Sequence, residues 1–190
     1  MGTLALTFDD GPDAHWTPVL LDALARHGAT ATFFVVAPRA AAQPGLVRRM
    51  LDHGHSVGLH CEVHVRHSQR ERAWVEADTE RALARLRRIG VVPTLWRTPW
   101  GDTAPWTDAV ARHHGLRLIH WTVDTHDWRG DDAPAMFAAT QDALGPGAVV
   151  LAHDGVGPGA RRSDAAETVR YLDLVAGHAA SRALRLEALR

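Results

Sequence analysis

Two adjacent carboxylates stand near the start of the chain, in the segment TFDDGP at residues 7–12. Asp9 and Asp10 end an apolar run and precede a Gly-Pro break. A carboxylate can hold a divalent metal ion, and it can also take a proton from a water molecule that attacks a carbonyl group. The pair therefore predicts one metal ligand and one general base. Neighbouring residues of a strand point to opposite faces, so spacing alone does not say which aspartate has which role.

A second segment carries two imidazoles four residues apart. In HCEVH, at residues 60–64, His60 and His64 share one face if the chain turns helical after a strand, and this spacing suits one metal ion. The segment is not the zinc-protease motif HExxH, because Cys61 stands where that motif has Glu. A catalytic site of the zinc type needs three protein ligands and one open position. We therefore expect a carboxylate from another strand end to complete the set.

Further polar side chains close other apolar runs. Arg97 follows TLW, Asp124 follows LIHWTV, and His153 follows AVVLA. Any one of them could be a structural polar residue. In both doubly wound sheets and (β/α) barrels, however, the working groups gather at the carboxyl ends of the strands. Several polar strand ends therefore predict one catalytic rim.

These strand ends belong to an alternation of short apolar runs and amphipathic stretches. The seven candidate strands are residues 4–8, 31–36, 56–60, 94–97, 118–124, 148–153 and 184–189. The six candidate helices are residues 17–27, 45–53, 71–89, 107–114, 134–144 and 164–180. Strict alternation implies parallel strands covered by helices, in a doubly wound sheet or a barrel of the (β/α) type.

Length and composition limit the class of protein. The 190 residues fit a single domain, and a formal net charge of -1 without long charged blocks predicts neither a nucleic-acid nor a membrane-surface partner. The single cysteine excludes an intrachain disulfide framework. No run approaches the ~20 apolar residues of a membrane span. The start MGTLALTFDD has no signal-peptide pattern, so we expect a cytoplasmic protein, or a secreted one if a signal was removed.

Five blocks occur in the order TFDDGP, HCEVH, RTPWG, DTHDW and LAH between residues 7 and 153. In this order they resemble the five motifs of the polysaccharide deacetylases, the NodB-homology domain of carbohydrate esterase family 4. The resemblance covers most of the chain. It implies that residues 1–190 form one catalytic domain, an α/β fold with a distorted (β/α) barrel of about seven parallel strands, similar to a TIM barrel.

The resemblance also implies roles for the residues of the first blocks. Asp9 would be the general base, oriented by a hydrogen bond from Arg97. Asp10, His60 and His64 would hold one divalent metal ion. Zinc is favoured for this ligand set, which also accepts cobalt, nickel or manganese.

The later blocks would supply the acid and the substrate groove. On the same resemblance, His153 would be the general acid that protonates the leaving amine, and Asp124 would favour its imidazolium form. The residues expected to line the groove are Trp100, Pro99, Trp128 and Leu151.

Two residues near HCEVH are accessory candidates. Cys61 stands where the family usually has Ser or Thr, and we interpret it as a small replacement for a hydroxyl rather than as a soft metal donor. His67 lies three residues beyond His64 and is a candidate for a substrate or metal contact, or else a rim residue. The residues interpreted as polar rim are His126, Asp127 and Asp154, and those interpreted as packing are Trp16, Trp74, Trp96, Trp106 and Trp121.

The resemblance implies a metal-dependent hydrolase that removes an acetyl group from an N-acetylated amino sugar and releases acetate. The substrate would be a chito-oligosaccharide, a peptidoglycan-type glycan or a small compound containing N-acetylglucosamine. One alternative keeps the machinery but acts as an amidase, imidase or O-acetyl esterase on a small acylated metabolite. A second alternative is a catalytically silent carbohydrate-binding module, which the complete set of ligands and base disfavours.

Overall fold

The computed structural model describes residues 2–190, in which parallel strands and helices alternate. The strands are β1 (Thr3–Asp9), β2 (Thr32–Val36), β3 (Ser56–Cys61), β4 (Leu95–Trp96), β5 (Arg117–Leu118), β6 (Val123–Asp124), β7 (Val149–His153) and β8 (Arg185–Leu186). The helices are α1 (Trp16–Arg26), α2 (Ala37–Ala42), α3 (Pro44–Asp52), α4 (Arg72–Arg88), α5 (Thr107–His113), α6 (Ala133–Thr140) and α7 (Ala166–Ser181). None of the helices in this described part is long and apolar enough to cross a membrane.

One parallel sheet, with the order β5-β4-β3-β2-β1-β7-β6, forms the centre of the molecule. Strand β8 pairs with the first residues of β1. The inner strands read as nearly continuous apolar runs, because the sheet is buried on both faces. In β1, for example, Leu4, Leu6 and Phe8 are almost completely buried, and Phe8 stacks on Phe33 of β2. The predicted barrel of parallel strands is confirmed.

The fifth predicted strand, residues 118–124, was wrong as one continuous element. The chain instead forms β5 at one edge of the sheet and β6 at the other edge. Only four residues separate the two strands, so the edges lie within roughly 17 Å of each other. Ile119 N–H still donates to Trp96 O of β4, and Thr122 N–H donates to Val149 O of β7. The sheet therefore curls, and this short connection closes the barrel where no strand pairing does.

Each of the six predicted helices is present, and one further helix was missed. Helix α2 follows β2 without an intervening loop, in the segment APRAAA, and the next helix begins only two residues after it ends. Asp13 lies in the turn that leads into α1, where its Oδ1 accepts the N–H groups of His15 and Trp16 at 2.9 and 2.8 Å. Asp13 thus stabilises the turn before the helix.

Candidate active site and metal centre

The carboxyl ends of the strands surround one cleft of about 450 Å³. This is the end at which a parallel (β/α) sheet presents its polar groups. The residues that line it are Asp9, Asp10, His60, His64, Arg66, Trp100, Gly101, Trp121, Asp124, Trp128, Leu151, His153, Gly155, Gly157, Pro158, Gly159, Ala160 and Arg162.

Asp9 ends β1 and is held by a buried guanidinium. Arg97 Nη1 donates to Asp9 Oδ1 at 3.0 Å and to Thr7 Oγ1 at 2.7 Å. The other Arg97 nitrogens donate to the carbonyls of Ile119 and His120, both at 3.3 Å. Arg97 thus contacts both the carboxylate and the connection that closes the barrel. The expected hydrogen bond between Arg97 and Asp9 is present.

Asp10 departs from strand geometry. Its φ is 71°, in the left-handed region that residues other than glycine rarely adopt. The reversal brings its carboxylate toward the two imidazoles, with Oδ1 at 3.4 Å from His60 Nε2 and 3.2 Å from His64 Nε2. Burial would raise the pKa of Asp10, but the adjacent His60 and His64 imidazoles hold it below its usual range. Asp10 is therefore an anion at neutral pH.

The two histidines reach the site from different local structures. His60 lies in β3, whereas His64 follows a bend at residues 62–63, so the helical face expected for HCEVH is not formed. His60 Nδ1 lies 2.8 Å from Arg97 O, and because a carbonyl oxygen only accepts, Nδ1 must carry the hydrogen. The Nε2 lone pair, which faces Asp10, is then available to a metal ion. The bend is fixed by Asp78 of α4, whose Oδ2 accepts the N–H groups of Glu62 and Val63 at 3.2 and 3.4 Å.

Asp10, His60 and His64 fit a divalent cation. Each offers one ligand atom, and these atoms lie within 4.8 Å of one another. Asp10 Oδ1 is buried, and within residues 2–190 it has no hydrogen-bond partner. A buried carboxylate oxygen without a hydrogen-bond partner needs a positive charge beside it, and a bound metal ion would supply that charge. One carboxylate and two imidazoles are a typical donor set for a catalytic transition-metal site.

Cys61 does not join this set. It is buried, it is absent from the lining of the cleft, and burial raises the pKa of its thiol well above the ordinary value. A protonated thiol is a poor metal ligand. The interpretation of Cys61 as a small packing residue agrees with this position.

His153 is paired with Asp127, and the predicted pairing with Asp124 was wrong. His153 Nδ1 lies 2.7 Å from Asp127 Oδ1. Asp124 Oδ1 instead accepts the backbone N–H of His126 at 2.8 Å, because the short turn after β6 carries Asp127, and not Asp124, back to β7. Burial would lower the pKa of His153, but the Asp127 carboxylate raises it to about 9.

Asp127 and Asp154 were both expected on a polar rim, and both are buried instead. Asp127 Oδ2 accepts from Thr168 Oγ1 at 2.8 Å and from His153 N–H at 3.0 Å. Burial alone would raise the pKa of Asp127, but the charge of His153 outweighs it and the pKa is lowered. Asp154 accepts from Thr17 Oγ1 at 2.5 Å, and burial raises its pKa to about 7.

The walls of the cleft agree only in part with the predicted groove. Trp100, Trp128 and Leu151 line the cleft, whereas Pro99 is buried and is not among the lining residues. Trp121, which was expected to be a packing residue, lines the cleft as well. Sequence reasoning also missed Arg162, whose terminal nitrogens donate to four acceptors: the carbonyls of Asp164, His153 and Gly155, and the hydroxyl of Thr168.

His67 does not reach the cleft. It is buried against the rings of Trp96 and Trp106, with centroid distances of 5.3 and 6.3 Å. Burial lowers its pKa to about 4, so it is a neutral packing residue. The predicted accessory contact with metal or substrate was therefore wrong, because His67 packs between Trp96 and Trp106 and is not among the residues that line the cleft.

The family profile described as polysaccharide deacetylase matches residues 1–119. This range includes Asp9, Asp10, His60, His64 and Arg97. The chain belongs to the polysaccharide deacetylase family. The predicted family is confirmed, and with it the class of enzyme, a hydrolase of amide bonds.

Two relatives illustrate how far the likeness extends across this polysaccharide deacetylase. Chitooligosaccharide deacetylase from Bradyrhizobium sp. (strain ANU 289) is 39% identical over 160 residues, which are 83% of this chain and 73% of that protein. Peptidoglycan-N-acetylglucosamine deacetylase PgdA from Listeria monocytogenes is 39% identical over 154 residues, which are 80% of this chain but only 32% of PgdA.

The structural likeness includes the part of the chain beyond the profile match. The family 4 carbohydrate esterase from Streptomyces lividans, in complex with acetate, superposes with a TM-score of 0.86 at 32% identity. The superposition covers 97% of this polysaccharide deacetylase and 91% of the esterase. The strand that carries His153 therefore belongs to the shared fold.

Proposed function

We propose that this chain hydrolyses the N-acetyl group of an amino sugar and releases acetate and a free amine. The observation that carries the proposal is the convergence of three units on one cleft: the Asp9–Arg97 pair, the Asp10–His60–His64 cluster and the His153–Asp127 pair. The names of the relatives, chitooligosaccharide deacetylase and peptidoglycan-N-acetylglucosamine deacetylase, support an N-acetylated amino sugar as the substrate.

Asp10, His60 and His64 are the residues that would hold a divalent metal ion. When bound, such an ion acts as a Lewis acid on the acyl group and makes water more acidic. Zinc is our proposed ion, because a mixed set of imidazole and carboxylate donors suits it, with cobalt, nickel and manganese as substitutes.

Asp9 would accept the proton of the attacking water. Its carboxylate faces the cleft and is fixed by Arg97, so it is already oriented when the substrate binds. The role of Arg97 is to position Asp9, since its own donors are occupied by protein acceptors.

His153 would give a proton to the leaving nitrogen. It lies opposite Asp9 in the register of β1 and β7, so the two groups face the same cleft from adjacent strands. Asp127 holds Nδ1 and raises the pKa to about 9, which keeps the imidazole protonated at neutral pH. The geometry thus supports a base on β1 and an acid on β7, each with its own positioning partner.

The alternative of an amidase, imidase or esterase acting on a small metabolite has no support among the named relatives. The prediction that residues 1–190 form one catalytic domain stays a prediction, as does the compartment in which the chain acts.

The test is acetate release from N-acetyl chito-oligosaccharides by the purified, zinc-loaded protein. We expect stoichiometric appearance of acetate and free amine, and loss of both on Asp9→Asn. Turnover of small amides or O-acetyl esters together with inert chito-oligosaccharides and glycan strands would overturn the proposal.

A further inference from the structure

Arg66 stands at the mouth of the cleft and is stacked on a wall residue. Its guanidinium carbon lies 4.5 Å from the centroid of the Trp100 ring, and the side chain is 41% exposed. Trp100 itself has a φ of 55° and is 40% exposed, so its ring projects from the rim rather than packing into the core. Arg66 therefore presents its charge to the cleft from a fixed aromatic support.

The donors of this guanidinium are free. Within residues 2–190, Arg66 is 3.9 Å from Asp102 Oδ1 but makes no side-chain hydrogen bond. Both Asp102 oxygens already accept from Ser68, Oδ2 from its N–H at 2.8 Å and Oδ1 from its hydroxyl at 3.0 Å. Arg162, the other arginine that lines the cleft, donates from its terminal nitrogens to protein acceptors, and its Nε is buried. Arg66 is thus the arginine of this cleft that remains available to a ligand.

The position of Arg66 separates it from the reacting group. The Trp100 ring meets the metal-site imidazole of His64 edge to face at a centroid distance of 4.2 Å, and Arg66 lies over the same ring. A substrate whose acetamide reached Asp10, His60 and His64 would therefore meet Arg66 with a group attached beyond the reacting sugar ring.

We propose that Arg66 binds a carboxylate carried by the sugar next to the one that is deacetylated, so that the preferred substrate is an acidic amino-sugar polymer. This inference rests on the proposed deacetylase function. A guanidinium offers paired N–H groups that match the two oxygens of a carboxylate, and lysine does not reproduce that geometry. A neutral chito-oligosaccharide offers these donors only uncharged hydroxyl and amide oxygens, which form weaker hydrogen bonds with a guanidinium than a carboxylate does.

The experiment compares two tetrasaccharides that differ in one charge. One is a peptide-free glycan in which N-acetylglucosamine alternates with a sugar bearing a lactyl ether carboxylate, and the other is the same glycan with each carboxylate converted to its methyl amide. We expect kcat/KM of the zinc-loaded enzyme to be roughly 5- to 20-fold higher for the acidic form. This is the effect expected of one charged hydrogen bond that is weakened by partial exposure to solvent. The difference should lie in KM, because the contact is remote from the reacting atoms.

Substitution assigns the preference to Arg66. Arg66→Gln should bring the two glycans within about twofold of each other, because kcat/KM falls more for the acidic glycan than for the methyl amide. Arg66→Lys should restore only part of the preference. Arg70→Gln is the matched control, since Arg70 also stacks on a tryptophan, Trp74, at 4.9 Å, but outside the cleft. It should keep the full preference.

Binding to the Asp9→Asn variant, measured by calorimetry for both glycans, makes the test independent of turnover. Equal dissociation constants for the two glycans, or equal losses for both on Arg66→Gln, would overturn the role of Arg66 even if acetate is released. If neither glycan nor chito-oligosaccharides release acetate, the proposed function is contradicted. The dissociation constants would then still decide whether Arg66 binds the carboxylate.

Discussion

Adjacent aspartates can have different roles here because one of them leaves the strand. Asp9 keeps strand pairing with Phe34 and His153, whereas Asp10 has a φ of 71°. In an extended strand their carboxylates would point to opposite faces, and the left-handed residue places both in one cleft. A left-handed conformation of a residue other than glycine costs about 1–3 kcal/mol, and such strain concentrates at functional sites.

Exchanging each aspartate for its neutral isostere should separate the two roles. Asp10→Asn removes an anionic ligand, so we expect weaker zinc binding and activity that partly returns at high metal concentration. Asp9→Asn should keep its zinc and lose activity by about 10²-fold or more, without rescue by metal. Metal stoichiometry and acetate release check both variants. Retention of zinc by Asp10→Asn and loss by Asp9→Asn would reverse the assignment.

The pairing of His153 with Asp127 has a pH signature. Loss of the Asp127 charge makes the imidazolium less favourable, so Asp127→Asn should lower the pKa of His153 from about 9. The alkaline limb of the pH–rate profile should move to lower pH by about one unit or more. Asp124→Asn is the comparison, and its limb should stay in place. A limb that moves with Asp124 and not with Asp127 would restore the pairing expected from sequence.

At the scale of elements, the loop after β7 lies in close contact with Asp10, the proposed metal ligand. A Cβ on Gly157 would lie 2.0 Å from Asp10 Oδ2, and one on Gly155 would lie 2.5 Å from Asp10 O. Arg39 of α2, the helix that sequence reasoning missed, donates to Asp10 O at 2.7 Å and to Val156 O at 3.1 Å. Helix α2 and the loop thus hold the left-handed Asp10 from two sides.

Gly157→Ala should therefore damage the metal site without damaging the fold. The backbone of Gly157 has no positive φ, so the added methyl group acts only through its clash with Asp10. We expect the dissociation constant for zinc to rise by about tenfold or more, as is typical when the support of a ligand is lost. Calorimetric titration with zinc measures it. Gly177→Ala in α7, where a Cβ meets nothing within 4 Å, should bind zinc normally. Equal affinity in both variants would contradict this role of the loop.

At the scale of the whole molecule, Arg97 connects Asp9, the proposed base, with the connection that closes the barrel. Its side chain is fully buried and connects Asp9 and Thr7 of β1 with the carbonyls of residues 119 and 120, where the sheet lacks pairing. The Phe34 ring lies 4.4 Å from its guanidinium carbon. The Arg97 guanidinium thus donates to a buried carboxylate and to two carbonyls at the gap in the strand pairing.

Arg97→Ala should consequently cost stability as well as activity. Removing one partner of a buried ion pair leaves an uncompensated charge, and such changes cost about 3–5 kcal/mol. Urea denaturation measures the free energy of unfolding, and Asp9→Asn, which keeps the guanidinium and its carbonyl contacts, should lose less. A stability loss below that of Asp9→Asn would show that Arg97 does not hold the barrel closed.

Metal removal should have the opposite balance, with loss of activity and survival of the fold. The hydrophobic core extends over helices and strands on all sides of the sheet and includes Tyr171, Phe33 and Trp96. It does not depend on one ion at the rim, so far-ultraviolet circular dichroism should be unchanged after chelation while acetate release stops. Added zinc should restore the rate. Activity that persists after verified removal of the metal would refute a metal-dependent mechanism.

The sequence by itself determined the family, the parallel α/β architecture and most members of the site. The alternation of apolar runs and amphipathic stretches is a local pattern, and the carboxyl ends of parallel strands necessarily meet at one edge. Asp9, Asp10, His60, His64, Arg97 and His153 were therefore predicted to lie together. The structure places five of them around one cleft, with Arg97 buried behind Asp9.

Only the tertiary structure decided which neighbours these residues have. Asp124 and Asp127 lie three residues apart in one motif, and the turn after β6 selects Asp127 as the partner of His153. The split of the fifth predicted strand depends on the curl of the whole sheet, and the burial of His67 depends on where α5 packs. These outcomes rest on contacts between residues distant in the chain, such as residues 127 and 153 or 39 and 156. Local patterns of hydrophobicity and spacing contain no information on such contacts, because they fix the faces of elements and not the conformations of the loops between them.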